Sequence, residues 1–156
     1  MTMFLLERGI KTLIDWETYG FSICGEADNG EDALADIQQL KPELVLTDIR
    51  MPVLDGLDLI KYTKESLTDS PYFIVISGYT DFKYAQRALR YGVKDFILKP
   101  VDQEEIHQTL DRVATTIRRD YESRHLQDKM EVMTEVKKIL FDESCKSNKD
   151  LLHPFF

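Results

Sequence analysis

The chain has 156 residues, 43% of them hydrophobic, with a net charge of −8 and a pI near 4.9. That length suits one compact domain of roughly 110 to 120 residues with an appendage. The acidic balance excludes a general nucleic-acid or anionic-membrane surface, which needs clustered Lys and Arg, and the apolar runs fall far short of the ~20 residues of a bilayer span. No signal-peptide pattern opens the chain, so a cytoplasmic location is expected. Cys24 and Cys145 lie far apart without metal-ligand spacing or a CxxC pair, and read as two reduced thiols. His107, His125 and His153 are isolated and read as solvated.

From Phe4 to Trp16 the apolar positions Phe4, Leu5, Ile10, Leu13 and Ile14 recur at helical spacing, with Tyr19-Gly20 as the stop. A first helix is expected there. A strand around Phe21 to Ala27 follows. Asp28-Asn29-Gly30 then turns into a helix whose first turn carries Glu31 and Asp32, where the macrodipole favours them, and which ends at Lys41-Pro42. Glu43 to Thr47 is a nearly continuous apolar run, as expected of a strand buried on both faces. Gly56 to Ser66 is a third helix, Phe73 to Ile76 another buried strand, Asp81 to Tyr91 a fourth helix ending at Gly92, and Val93 to Leu98 the last strand.

Short apolar strands alternating with helices imply right-handed crossovers and a doubly wound parallel α/β sheet, with chemistry at the carboxyl ends of its strands. Three groups fall on that edge. Asp48 follows Leu44-Val45-Leu46-Thr47, Ser77 follows Phe73-Ile74-Val75-Ile76, and Lys99 follows Asp95-Phe96-Ile97-Leu98. Singly, each has a plain reading as a cap, a turn hydroxyl or a solvated amine. Together, an acid, a hydroxyl and an amine at successive strand ends form a phosphoryl-transfer constellation. Asp55-Gly56 reads as a turn and cap before the third helix.

After residue 118 the composition changes. From Asp102 to about Phe141 there is no Gly or Pro, and Ile106, Leu110, Val113 and Ile117 give way after a slip to Leu126, Met130 and Met133. A long helix is expected, its start packed on the domain and its continuation, residues 119–143, either a linker able to form a coiled coil or a solvated extension. Residues 144–156 lack periodicity and read as a disordered or truncated tail.

In wording the chain resembles a two-component response-regulator receiver domain over roughly residues 3 to 118. The resemblance rests on Asp48 within Thr-Asp-Ile-Arg-Met-Pro, Asp55-Gly56, Ser77-Gly78-Tyr79, Asp81-Phe82-Lys83-Tyr84-Ala85, Gly92-Val93-Lys94-Asp95-Phe96 and Lys99-Pro100-Val101. Leu13-Ile14-Asp15-Trp16 is similar to receivers of AraC-type (YesN-like) transcriptional regulators, whose DNA-binding output domain is expected outside these residues. The resemblance implies the flavodoxin-like strand order 2-1-3-4-5. It implies that Asp48 accepts a phosphoryl group from a sensor histidine kinase, with Ser77, Lys99 and one Mg²⁺ neutralising the transferring charge. Asp48 and the backbone carbonyl of Arg50 would be metal ligands. Inward movement of Ser77 followed by Phe96 would switch the face made by the fourth helix, the last strand and the following helix. Lys99-Pro100 is expected to be cis in the family manner. Such a module is not an enzyme beyond its own phosphorylation and dephosphorylation, and a homodimer through the switch face or the long helix is expected.

The departure is at the start. Aligning Gly9-Ile10-Lys11 with the family's first helix puts the first strand, and the acidic pair that holds most of the Mg²⁺, at or before Met1. Loss of a central strand would remove on the order of 10 kcal/mol of burial from a domain stable by ~5 to 15 kcal/mol. Three accounts are open: the native strand lies upstream; Thr2 to Leu6 are recruited as the strand, shortening the first helix and bringing Glu7 near the site; or the receiver has decayed or borrows a strand by swapping.

Two other functions compete. One is a phosphorylation-independent interaction or dimerisation module, favoured by the missing acidic pair. The other is a haloacid-dehalogenase-type enzyme, which would require a second Asp two positions after the nucleophile, where this chain has Arg50.

Overall fold

The computed structural model describes residues 1–78 and 82–152. It divides into two compact units, Met1–Ile117 and Arg118–Phe156. In the first unit five parallel strands form one sheet in the order β2-β1-β3-β4-β5. They are β1 (Thr2–Leu5), β2 (Ser22–Glu26), β3 (Leu44–Thr47), β4 (Tyr72–Ser77) and β5 (Asp95–Leu98). The helices are α1 (Gly30–Leu40), α2 (Gly56–Ser66), α3 (Phe82–Arg90) and α4 (Gln103–Leu152). The doubly wound α/β fold expected from the strand and helix alternation is therefore formed.

The start of the chain corrects the expected first helix. Thr2–Leu5 is the central strand, paired with β2 on one side and β3 on the other. The Arg8–Ile10 and Trp16–Tyr19 segments are short 3₁₀ turns. Thr2–Leu5 thus takes the first-strand position, the replacement that the recruited-strand account describes. The reason is energetic. Met3, Phe4 and Leu5 are all fully buried, with Met3 and Leu5 on one face of the sheet and Phe4 on the other. Each contributes ~1.5 to 3 kcal/mol by burial, whereas the helix preference they forgo is only some tenths of a kcal/mol per residue. Ile10, in the first turn, and Ile14, between the two, keep their burial, while Leu13 is 54% exposed.

Two layers cover the sheet. On one face Met3, Leu5, Leu44, Leu46, Ile74, Ile76 and Ile97 pack with Trp16 and Tyr19 of the second turn and with Ile106, Leu110 and Val113 of α4. On the other, Phe4, Val45, Phe73 and Val75 pack with Ile37 of α1, Leu57 and Ile60 of α2 and Ala88 of α3. At the opposite edge from Asp48, Ser77 and Lys99, the Tyr72 hydroxyl donates to Asp95 at 2.6 Å and the Arg112 guanidinium pairs with the same carboxylate. These bonds join β4, β5 and α4.

In the second unit α4 is helical to Leu152, through the stretch from residue 144 that was expected to be a disordered or truncated tail. Its side chains Tyr121, Leu126, Met130, Val132, Met133, Val136, Ile139, Leu140 and Phe141 are exposed. Among the described residues no helix is long and apolar enough to cross a membrane.

Candidate functional site

Parallel pairing in register brings the carboxyl ends of β1, β3, β4 and β5 to one edge. Thr47 of β3 lies beside Val75 of β4, and Ser77 beside Leu98 of β5. Asp48 therefore follows the residue level with Val75, whereas Lys99 follows the residue level with Ser77, and the long Lys99 side chain spans the difference to reach Asp48. Asp48 leaves β3 half-buried, between the buried Thr47 and Ile49. The Thr47 hydroxyl donates to the Asp48 carbonyl at 2.9 Å.

The loop after Asp48 is held by a close approach. The Gly56 amide donates to the Ile49 carbonyl at 2.7 Å. A Cβ at Gly56 would stand 2.0 Å from the Asp48 carbonyl oxygen, so a side chain there would displace the Asp48 backbone. Asp55, as expected, caps α2 by accepting from the Asp58 amide at 2.8 Å. Together these explain why Asp55-Gly56 follows Asp48 at that spacing.

Lys99 closes the site from β5. Its amide donates to the Ser77 carbonyl at 2.8 Å, and the Lys99-Pro100 peptide is cis. The ammonium donates to Asp48 Oδ2 at 3.0 Å and to Glu7 Oε2 at 2.7 Å. Burial works against this charge, but the bonds to Glu7 and Asp48, with their Coulombic attraction, outweigh it and raise the Lys99 pKa above the ordinary lysine value. Glu7 follows β1, and its other oxygen accepts from the Gly9 amide at 3.1 Å, capping the Arg8–Ile10 turn.

The structure therefore brings Asp48 and Lys99 together and adds Glu7, which enters the sequence reading only through the recruited-strand account. Ser77 ends β4 with its residue fully buried. The Arg50 amide lies 3.4 Å from Asp48 Oδ1, and the residue is exposed. Phe96, half-buried, packs against the apolar layer containing Val75 and Ala88. Tyr79 and Asp81, quoted for the resemblance, lie outside the described residues.

Residues 4–111 match the response regulator receiver domain family. The chain belongs to this family. It is 40% identical over 111 residues to the transcriptional regulatory protein YesN of Bacillus subtilis, covering 71% of this chain and 30% of YesN. It is 39% identical over 113 residues to the transcriptional regulatory protein HptR of Staphylococcus aureus, covering 72% of this chain and 44% of HptR. The matched segment thus spans less than half the length of these relatives.

Among solved structures, the receiver domain of AraT, a response regulator from Geobacillus stearothermophilus, superposes with a TM-score of 0.70 at 32% identity. That match covers 77% of this chain and 97% of the other. The response regulatory domain of mrkE from Klebsiella pneumoniae gives 0.69 at 25% identity, covering 76% and 99%. This receiver is accordingly a regulatory module of two-component type, a family in which aspartate phosphorylation is typical, and its relatives include transcriptional regulators.

The receiver family implies a divalent cation beside the acceptor aspartate. A hard cation such as Mg²⁺ takes oxygen ligands and keeps several waters. Two carboxylates from separate strand ends, Asp48 and Glu7, already converge on one cation, the Lys99 ammonium. That oxygen-donor pair fits a divalent ion in its chemistry. It is sparse, because no group of three or more His, Cys, Asp or Glu is gathered for a metal among the described residues.

Proposed function

We propose that this receiver accepts a phosphoryl group on Asp48 from a sensor histidine kinase, and that the modified domain controls transcription through an output domain of a longer protein. The observation that carries this reading is the Asp48–Lys99 contact at the carboxyl edge of β3 and β5. A carboxylate oxygen can attack phosphorus in line, forming an acyl phosphate as the bond to the donor breaks. The ammonium bonded to Asp48 would neutralise charge on the transferring oxygens, and the Ser77 hydroxyl would accompany it. Asp48, Glu7 and the Arg50 carbonyl would hold Mg²⁺, which when bound would supply further neutralisation of those oxygens. Ser77 and Phe96, on β4 and β5, would carry the change to the face formed by α3, β5 and the start of α4.

Intact mass after treatment with acetyl phosphate and Mg²⁺ tests the assignment. The expected result is one hydroxylamine-labile phosphoryl group on the folded wild-type chain and none on Asp48→Asn. Retained label on Asp48→Asn would overturn Asp48 as acceptor.

A second reading is favoured by one observation, the exposed apolar side chains of α4 beyond Ile117. Leu126, Met130, Met133 and Leu140 fall at coiled-coil spacing, which supports homodimerisation through residues 119–143 whether or not Asp48 is modified. In that reading the module acts by pairing, and phosphorylation is dispensable.

A further inference from the structure

Charge in the receiver unit is sorted by helix. Residues 26–36 hold five anions, Glu26, Asp28, Glu31, Asp32 and Asp36, and no cation; residues 82–94 hold four cations, Lys83, Arg87, Arg90 and Lys94, and no anion. Lys83, Arg87 and Arg90 step by four and three positions and so share one side of α3. Helix dipoles favour Glu31 and Asp32 in a first turn and Arg87 and Arg90 in a last turn. They give no reason for Asp36 in the second half of α1, and they oppose Lys83 at the start of α3. The anionic flank is also concave: a cleft of about 330 Å³ is lined by Arg8, Glu26, Asp28, Asn29, Asp32 and Asp36. It already holds one guanidinium, since Arg8 pairs with Asp28 at 3.0 Å, and Lys11 pairs with Glu26. Arg87 reaches Asp58 of α2 at 3.8 Å. Among the described residues, Glu31, Asp36, Arg90 and Lys94 have no ion pair.

We propose that the cationic side of α3 and the anionic cleft beside α1 are the two halves of one contact, through which a second copy of this chain docks head to tail. The two halves cannot meet within one chain. Both helices cover the same face of the sheet, through Ile37 and Ala88, and α2 stands between them. The Gln38 amide donates to the Ser66 hydroxyl at 3.1 Å, tying α1 to α2, and the Lys64 ammonium donates to the Tyr91 carbonyl, tying α2 to the end of α3. A second copy supplies the missing half on either flank, and the cleft has room for an Arg or Lys side chain beside the guanidinium it already takes. Such a contact is heterologous: each docked copy presents the next open half, so association has no fixed end. Exposed ion pairs are individually weak and are screened by salt, so the contact depends on the stripe as a whole. It needs neither a modified Asp48 nor the exposed apolar side chains of α4.

Sedimentation velocity of the full chain, up to about 0.5 mM because the contact is weak, tests this at two salt concentrations. At about 0.1 M the Debye length of ~10 Å damps the net repulsion of two anionic chains across their width but spares facing side chains; at about 1 M it is ~3 Å. The weight-average coefficient is expected to keep climbing with concentration at the lower salt, and the apparent association constant to fall about tenfold at the higher. Pairing through α4 would instead stop at a dimer and persist in salt, being apolar. Arg90→Glu with Lys94→Glu, and separately Glu31→Lys with Asp36→Lys, should each abolish the salt-sensitive climb. An equimolar mixture of these two variants should regain it, because each reversed face finds its complement on the other chain; a misfolded variant could not produce that restoration. A wild-type curve indifferent to salt would overturn the proposal, as would either variant associating like wild type, or a mixture that stays unassociated although circular dichroism shows both chains folded. Binding of a short DNA duplex by a chain that does not self-associate, lost in Arg90→Glu with Lys94→Glu, would also overturn it and assign the α3 side to phosphates.

Discussion

Glu43 shows how one side chain fixes the position of a strand. Its Oε2 accepts from the Thr2 amide at 2.6 Å and from the Thr2 hydroxyl at 2.7 Å, tying the first residue of β1 to the entrance of β3. Burial alone would raise its pKa, but the bonds from Thr2 outweigh that, aided by the N-terminal ammonium, and hold it below the ordinary carboxylate value. A carboxyl with a depressed folded pKa contributes stability that is present above its unfolded pKa of ~4.3 and lost as pH falls through the folded value. Lys99, with its pKa raised, works at the other end of the scale: its contribution is present below ~10.4 and lost as pH rises through the folded value. Glu43→Gln is therefore expected to cost about 1 kcal/mol or less near neutral pH, since Glu43 is an exposed residue. It should also flatten the acid-side loss of stability. Urea midpoints measured from pH 7 down to pH 3 read both effects, and an unchanged acid limb would count against the Thr2 contact.

The element that decides the fold is β1. It fills the gap between β2 and β3, and its three central side chains feed both apolar layers. Phe4→Ala is expected to cost ~3 to 5 kcal/mol, as for other buried aromatic truncations, a large share of a domain stability of ~5 to 15 kcal/mol. Leu13→Ala should stay within about 0.5 kcal/mol, because Leu13 is exposed. A helix over these residues would treat the two more evenly, so chemical denaturation of the pair separates strand from helix directly. The same placement of β1 puts Glu7 at the site, since the residues after Leu5 emerge on the edge where Asp48 and Lys99 already stand.

At the level of the whole molecule, the receiver unit ends at Ile117 and the second unit is the remainder of α4 with the residues after it. Helical stability in proteins comes chiefly from burying an amphipathic face, and a helix carrying Leu126, Met130, Met133 and Leu140 exposed calls for cover. Pairing of two copies through this stretch is expected to make sedimentation concentration-dependent. Met133→Glu combined with Leu140→Glu should return a monomer whose receiver unit melts as before. A wild-type chain that stays monomeric at tens of micromolar, or a variant that stays dimeric, would remove α4 as the dimer contact.

The alternation of strands and helices, the parallel sheet and the edge on which Asp48, Ser77 and Lys99 stand are all legible in the order of residues. Those follow from local signals: period and burial of short apolar runs, Asn29 and Asp55 as caps, and Gly56 where the Asp48 backbone passes. That order could not decide the first sixteen residues. Met3 to Leu6 is a short apolar run compatible with either state, and Ile10 and Ile14 are buried on one face in a turn as they would be in a helix. What settled them was the vacancy between β2 and β3, a property of the assembled sheet. Glu7 became part of the site for the same reason, because its distance to Lys99 spans 92 positions of sequence and exists only when β1 and β5 share one sheet.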